Sequence, residues 1–348
     1  MSLQPEQPEQ QPQVQKKCSI LVTGGCGFIA SNFLKYMVPK YPDIVFINVD
    51  KVDYCSTVLG VEEAVGHLPN YFFYPTNISN TSFMEYIFKK HAVDTVMHFA
   101  AQSHVDNSFG NSLCFTQDNV LGTHFLLETV RKCNPKALFI HVSTDEVYGE
   151  VGLNETSTEK SLLNPTNPYA ASKAAAEFVV KSYHKSYGIP MIITRGNNVY
   201  GPGQYPEKLI PKFILQLLQG KQMTIHGSGS TIRNFVHVLD VAKAFELILF
   251  RGQVGTIYNI GVENEHSVFD IARMLHKLIV KTEDSPLRHS VTFVEDRLFN
   301  DFRYCVDSKD LLALGWESRT SFEEGLEETI EWYKQVNLDT YFVTTPTI

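Results

Sequence analysis

The chain has 348 residues, with 30 Lys and Arg against 38 Asp and Glu, a formal net charge of −8. With 43% hydrophobic and 20% charged residues it has the composition of a folded globular protein, and at roughly 150 residues per domain its length allows one large domain or two. Net acidity argues against a nucleic-acid partner, which needs clustered basic charge, and no apolar run approaches the ~18 residues of a membrane span. The six cysteines, at 18, 26, 55, 114, 133 and 305, form no CxxC pattern. They read as free thiols in a reducing, cytoplasmic setting.

Residues 1–17 hold six Gln and three Pro and read as a disordered tail, not a secretory leader. From Cys18 short apolar runs alternate with amphipathic ones. Strands are expected at 19–23, 44–50, 71–74, 94–99, 137–143 and 191–194, and helices at 28–38, 82–90, 121–133 and 169–187. The strand runs lack strict alternation, as in a parallel sheet covered by helices on both faces. After Tyr200, Pro and Gly become frequent and the rhythm breaks. The fold class expected is α/β, a Rossmann-type doubly wound parallel sheet with a smaller α/β substrate-binding domain interleaved with it. The division expected is a dinucleotide-binding domain over 18–198 plus about 234–250, and the smaller domain over 199–233 and 251–348.

Thr23-Gly24-Gly25-Cys26-Gly27-Phe28-Ile29-Ala30 follows the first strand and opens the first helix. Gly24 suits a tight turn, Gly27 lets backbone approach a pyrophosphate, and Ala30 stands where close helix packing is needed. The helix N-terminus offers unpaired N–H groups to phosphate. Asp50 ends the second strand, 20 residues after Ala30, where a carboxylate accepts from both ribose hydroxyls and favours NAD over NADP.

Ser143-Thr144-Asp145-Glu146-Val147-Tyr148-Gly149 follows the fifth strand, at the carboxyl edge where open α/β sheets bind ligands. Adjacent carboxylates can divide acid and base duties if their environments differ; an acidic solvated turn is the plain alternative. Asn167-Pro168 then opens a helix carrying Tyr169 and Lys173 on one face. A Lys beside a phenol favours the phenolate and would make Tyr169 a base. By itself this pair is common on surface helices; after a dinucleotide turn and Thr144–Glu146 it points to a redox site.

These motifs resemble the extended short-chain dehydrogenases/reductases, and within them the nucleotide-sugar 4,6-dehydratases of the dTDP-glucose/UDP-glucose type. The resemblance spans about 18–335. Its more specific marks are Thr144-Asp145-Glu146, Arg195-Gly196-Asn197-Asn198-Val199-Tyr200-Gly201-Pro202 and Tyr205-Pro206-Glu207-Lys208-Leu209-Ile210-Pro211. Arg233-Asn234-Phe235, Tyr258-Asn259-Ile260-Gly261 and Asp296-Arg297 with Asn300-Asp301 and Arg303-Tyr304 complete them.

The resemblance implies NAD bound throughout the cycle and regenerated in it. Tyr169 would remove the sugar O4 proton as C4 gives up hydride, with Thr144 hydrogen-bonding that oxygen and Lys173 holding phenolate and nicotinamide ribose. Glu146 would take the C5 proton, and Asp145, protonated, would help the C6 hydroxyl leave as water. Hydride return to C6 would give the 4-keto-6-deoxy sugar. Besides the glycine turn, Asn77 and Ile78 would lie near the adenine, and Ala100 and Ala101 under the dinucleotide. Ser103, Asn198, Lys208, Leu209, Arg233, Asn259 and Arg297 would contact the sugar nucleotide. His98 and His104 read as packing or hydrogen-bonding residues, and no metal site is expected. A homodimer through helices 121–133 and 169–187 is implied, with separate epimerase and reductase activities downstream.

Asn77 replaces an Asp of many relatives, Gln102 a bacterial Glu, and Leu298-Phe299 a bacterial Pro-Gly. Arg297-Leu298-Phe299-Asn300-Asp301 is similar to dehydratases feeding UDP-rhamnose synthesis, which favours UDP-glucose over dTDP-glucose. A UDP-sugar 4-epimerase needs no acid–base pair for elimination, and a UDP-glucuronate decarboxylase needs a cationic carboxylate pocket. A non-enzymatic NAD-binding scaffold needs none of Thr144, Asp145, Glu146, Tyr169 and Lys173 together.

Overall fold

The computed structural model describes residues 18–281, 286–296 and 299–342. Its first six strands are β1 (Ser19–Thr23), β2 (Val45–Asp50), β3 (Tyr71–Pro75), β4 (Thr95–His98), β5 (Leu138–Thr144) and β6 (Met191–Gly196). The next six are β7 (Asn198–Tyr200), β8 (Met223–His226), β9 (Ile232–His237), β10 (Ile257–Ile260), β11 (Glu265–Ser267) and β12 (Val291–Val294). A seven-stranded sheet runs in the order β10-β6-β5-β4-β1-β2-β3, parallel throughout.

The sheet is buried on both faces, which explains the unalternated apolar runs. Ile20 and Val22 point to a core shared with Phe33, Met37 and Phe245. Leu21, between them, points to the opposite core with Leu126, Phe139 and Val180. A third core of Tyr200, Phe213, Ile271, Leu275, Phe322 and Leu326 fills the smaller lobe. That lobe holds a three-stranded sheet, β11-β9-β7, and a two-stranded one, β12-β8.

Two expected boundaries move. Ile257–Ile260 lies in the stretch assigned to the smaller domain, yet β10 pairs with β6 and forms the edge of the large sheet. Asn234 to His237 were assigned to the dinucleotide domain, but they continue β9, which pairs with β7 and β11. Neither strand's local pattern says which sheet it joins; pairing partners decide it. The helix expected at 121–133 spans Gly122–Cys133 and is preceded by a π-helical turn over Thr116–Leu121. All six cysteines are free. Among the described residues no helix is long and apolar enough to cross a membrane.

Candidate active site

The carboxyl ends of β1, β2, β4 and β5 open into one cavity of about 730 Å³, closed on its far side by the smaller lobe. This is the upper part of the range for ligand pockets, about 300–1,000 Å³.

The glycine turn lines one end. Gly24 has φ +69°, and a Cβ there would stand 2.7 Å from Cα and N of Ala100, so both backbone conformation and space demand glycine. Gly27 is the N-cap of helix Phe28–Lys40 and supplies no capping side chain, so the first N–H groups of that helix face the cavity. Asp50, almost fully buried, accepts from Cys26 N at 2.9 Å and Val52 N at 2.7 Å and still borders the cavity. Phe28, Ile29, Asn77, Ile78, Ala100 and Ala101 line the same end. Lys51, the cation next to Asp50, is taken by Asp53 at 3.0 Å and Asp118 at 2.7 Å. A glycine cradle, open helix N–H groups and a ribose-directed carboxylate fit a dinucleotide without a 2′-phosphate. Gly24→Ala should cost about 1–2 kcal/mol from the left-handed backbone alone, plus the Ala100 contact. A lower urea midpoint and weakened dinucleotide binding by calorimetry are expected; an unchanged midpoint would count against the cradle.

Thr144, Glu146, Tyr169 and Lys173 meet in the middle of the cavity wall. Tyr169 and Lys173 come from helix Pro168–Tyr187, whose N-cap Asn167 accepts from Ala170 N at 2.8 Å. The same Asn167 donates through Nδ2 to Glu146 Oε2 at 3.1 Å, so one residue caps the helix and holds the carboxylate. Burial and the neighbouring Asp145 charge push Glu146 up to about 7. Burial pushes Asp145 up to about 6. Asp145 is not on the lining: its oxygens accept from Asn197 Nδ2 at 2.7 Å and the Thr144 hydroxyl at 3.2 Å.

The phenol of Tyr169 is raised, not lowered. Burial dominates, the Glu146 charge adds to it, and a hydrogen bond from Thr144 opposes it. Lys173 donates to the Val142 carbonyl at 2.7 Å, and burial lowers its ammonium to about 8. The expected lowering of Tyr169 by Lys173 is therefore absent from the protein by itself, because the ammonium is turned to β5 and desolvation outweighs attraction.

Toward the smaller lobe, Ser103, Asn198, Lys208, Leu209 and Arg233 line the cavity. Lys208 Nζ donates to the Ser103 carbonyl at 2.9 Å. Arg233 is fixed by donating to the carbonyls of Ile232 at 2.7 Å and Asp301 at 2.8 Å, with its guanidinium 4.7 Å over Tyr304. Asn259 departs from its expected place: fully buried, it accepts from the Tyr148 hydroxyl at 2.8 Å and donates to the Asp307 carbonyl. It serves the β10 edge and does not reach the cavity. Arg297 lies outside the described residues. His98 bonds Thr23 at 2.7 Å and Thr123 at 2.9 Å and is fully buried, as a packing histidine. No cluster of metal-ligating residues occurs among the described residues.

Three residues that support the site were given no role from sequence. Asn119, in the π-helical turn, accepts from Gln102 N at 2.7 Å and donates to Ser172 Oγ at 2.9 Å, tying the β4 loop to the Tyr169 helix. Asn197 holds Asp145, and Asn167 holds Glu146. Only Asn167 was readable, as an N-cap before Pro at the first helical position.

The parallel sheet, the glycine cradle and the Tyr169–Lys173 pair beside Thr144 define an extended short-chain dehydrogenase/reductase. The model of the family described as GDP-mannose 4,6 dehydratase matches residues 21–329, and the chain belongs to that family. It is 48% identical over 322 residues to an Arabidopsis thaliana trifunctional UDP-glucose 4,6-dehydratase/3,5-epimerase/reductase, covering 92% of this chain and 48% of that protein. The chain thus spans about half the length of such plant relatives. It is 45% identical to human dTDP-D-glucose 4,6-dehydratase, covering 91% and 90% of the two chains. Among solved structures, a Bacillus anthracis dTDP-glucose 4,6-dehydratase in complex with NAD superposes with TM-score 0.84 at 37% identity, covering 93% and 98%.

Proposed function

We propose that the protein is a nucleoside-diphosphate-glucose 4,6-dehydratase acting on UDP-glucose with bound NAD. The observation that carries the reading is the convergence of Thr144, Glu146, Tyr169 and Lys173 on one cavity whose opposite ends suit a dinucleotide and an anionic sugar nucleotide. The glycine turn, Asp50 and Lys173 would hold NAD, which would supply the hydride acceptor and donor and a positive charge favouring the Tyr169 phenolate. Tyr169 takes the O4 proton while the Thr144 hydroxyl orients that oxygen. The 4-keto group acidifies C5, and Glu146 removes the C5 proton. Asp145, protonated, is the acid for the departing C6 hydroxyl; because it stands behind the cavity wall, its proton passes through the Thr144 hydroxyl, 3.2 Å away. Arg233 and Lys208 offset the diphosphate charge.

A 4-epimerase needs the Tyr169 base alone; a half-buried carboxylate on the cavity wall, raised to about 7, is what an elimination adds. The choice of UDP-glucose over dTDP-glucose is supported by the 297–301 pattern and by the greater identity to the plant UDP-glucose relatives. The product would pass to an epimerase and a reductase. Free cysteines support a cytoplasmic setting, and a homodimer is expected through the helices bearing exposed Phe125 and Phe178.

Incubation with UDP-glucose should produce the alkali-induced absorbance of a 4-keto sugar, faster than with dTDP-glucose in competition. No signal with either, in protein that binds NAD, refutes the proposal. Since Glu146 must be unprotonated to act as base and stands near 7, kcat/KM should fall about tenfold per unit as pH drops below that value. A flat profile from pH 7 to 5 would deny Glu146 that role.

A further inference from the structure

Residues 201–208 join β7 to helix Leu209–Leu218 and put Gln204, Tyr205, Glu207 and Lys208 on the cavity lining. Gly201 at φ +140° and Gly203 at φ +87° give this segment an irregular path, so side chains from elsewhere hold it. From the dinucleotide-binding lobe, Asn32 Nδ2 donates to the Pro202 carbonyl at 3.2 Å, and the Tyr54 hydroxyl stands 3.0 Å from both Glu207 carboxylate oxygens. From the smaller lobe, the Tyr333 hydroxyl donates to the Gln204 carbonyl.

A second grip comes from Tyr341 and Phe342, at the end of the four-residue helix Leu338–Tyr341. So short a helix has little stability of its own, and its place is set by what its side chains touch. Toward the dinucleotide-binding lobe, the Tyr341 hydroxyl accepts from Lys35 Nζ at 3.0 Å, and its ring lies so close to Gly60 that a Cβ there would stand 2.6 Å from Cε2. Toward the smaller lobe, the ring meets Trp332 edge-on at 4.9 Å between centroids, and the hydroxyl lies 3.0 Å from where a Cβ of Gly203 would stand. Phe342 meets Tyr205 edge-on at 4.9 Å, and Tyr205 in turn meets Tyr54 at 5.3 Å. One phenol thus stands between the lobes, against glycine on either side.

We propose that Tyr341, helped by Phe342, is a positioning residue that pins segment 201–208 between the lobes and so keeps Lys208 in place for the diphosphate of the sugar nucleotide. This rests on the role given above to Lys208. Neither aromatic residue lines the cavity, so both act through the segment, by setting the fraction of molecules in which it is in place. Affinity falls in proportion to that fraction. Thr144, Glu146, Tyr169 and Lys173 stand on other elements, β5 with its following turn and helix Pro168–Tyr187. Loss of Tyr341 therefore weakens binding and spares the chemical steps.

The test uses the full chain with NAD bound. Y341A should weaken UDP and dTDP binding by calorimetry about tenfold, as when the segment is in place about a tenth of the time. KM for UDP-glucose should rise alike, with kcat within about twofold. Hydrogen exchange without sugar nucleotide should quicken in peptides over 201–208 and stay unchanged over β5. Y341F keeps the ring against Gly60 and Trp332 and should return most of the affinity. F342A removes the ring from Tyr205, should act the same way by less, and serves where Y341A does not fold. Unchanged nucleotide affinity overturns the proposal, and so does weaker binding without faster exchange over 201–208. A wild type that binds UDP or dTDP but makes no 4-keto sugar refutes the dehydratase reading, while affinity and exchange still decide the role of Tyr341.

Discussion

Glu146→Gln is expected to leave oxidation at C4 nearly intact while slowing formation of the 6-deoxy product by about 10²–10⁴-fold, the range for a lost general acid or base. Gln keeps the shape of Glu and an oxygen that accepts from Asn167 Nδ2, so the local structure persists. What it loses is the carboxylate beside Thr144 and Tyr169 that takes the C5 proton. Rapid mixing with UDP-glucose should show absorbance at 340 nm that rises and stays, with no solvent deuterium entering C5. The same change removes the anion that helps hold the Tyr169 phenol up. The pH needed for C4 oxidation should therefore fall in this variant. Full turnover by E146Q would remove Glu146 from the mechanism.

Tyr169→Phe should act one step earlier. The ring would keep its edge-on packing against Phe115, 6.3 Å between centroids, so the fold and the helix are retained. Only the phenolic oxygen and its bond with Thr144 are lost. Oxidation at C4 should fall by about 10³-fold, with little change in UDP-glucose binding by calorimetry. Unlike E146Q, this variant should show no early rise at 340 nm. The two variants thus separate the steps: one halts before hydride leaves C4, the other after. Oxidation by Y169F within tenfold of the wild type would assign the base elsewhere.

Much of this architecture was legible from residue order. The first six strands of the sheet were read to within two residues at each end, because each is an unbroken apolar run bounded by turn residues. The glycine turn was equally plain, since Gly24 and Gly27 sit where backbone must turn and approach a ligand. The short pieces were not legible. A four-residue run such as Ile257–Ile260 carries no signal of which sheet it will join, and its place beside β6 is a matter of pairing across about sixty residues of chain. The π-helical turn at Thr116–Leu121 was likewise invisible, as it lies ahead of the stretch expected to be helical and is defined by hydrogen-bond register, not by residue type.

The site shows the same division. Thr144, Glu146, Tyr169 and Lys173 were identified by type and spacing, and the structure gathers them on one wall. Asn259 was expected against the sugar nucleotide from the resemblance, but its side chain is spent on Tyr148 and Asp307. Nor could spacing reveal that Asp145 turns away behind Thr144 while Glu146 faces the cavity.

By itself, then, the sequence determined the parallel α/β order, the dinucleotide turn and the residue types of an oxidation–elimination site, because local periodicity and turn chemistry are short-range properties. The tertiary structure decided which acids are buried, which side chains hold them and in which direction their proton affinities move. Desolvation and charge depend on neighbours brought together from β4, β5, β6 and the Tyr169 helix, and no spacing along the chain records those distances.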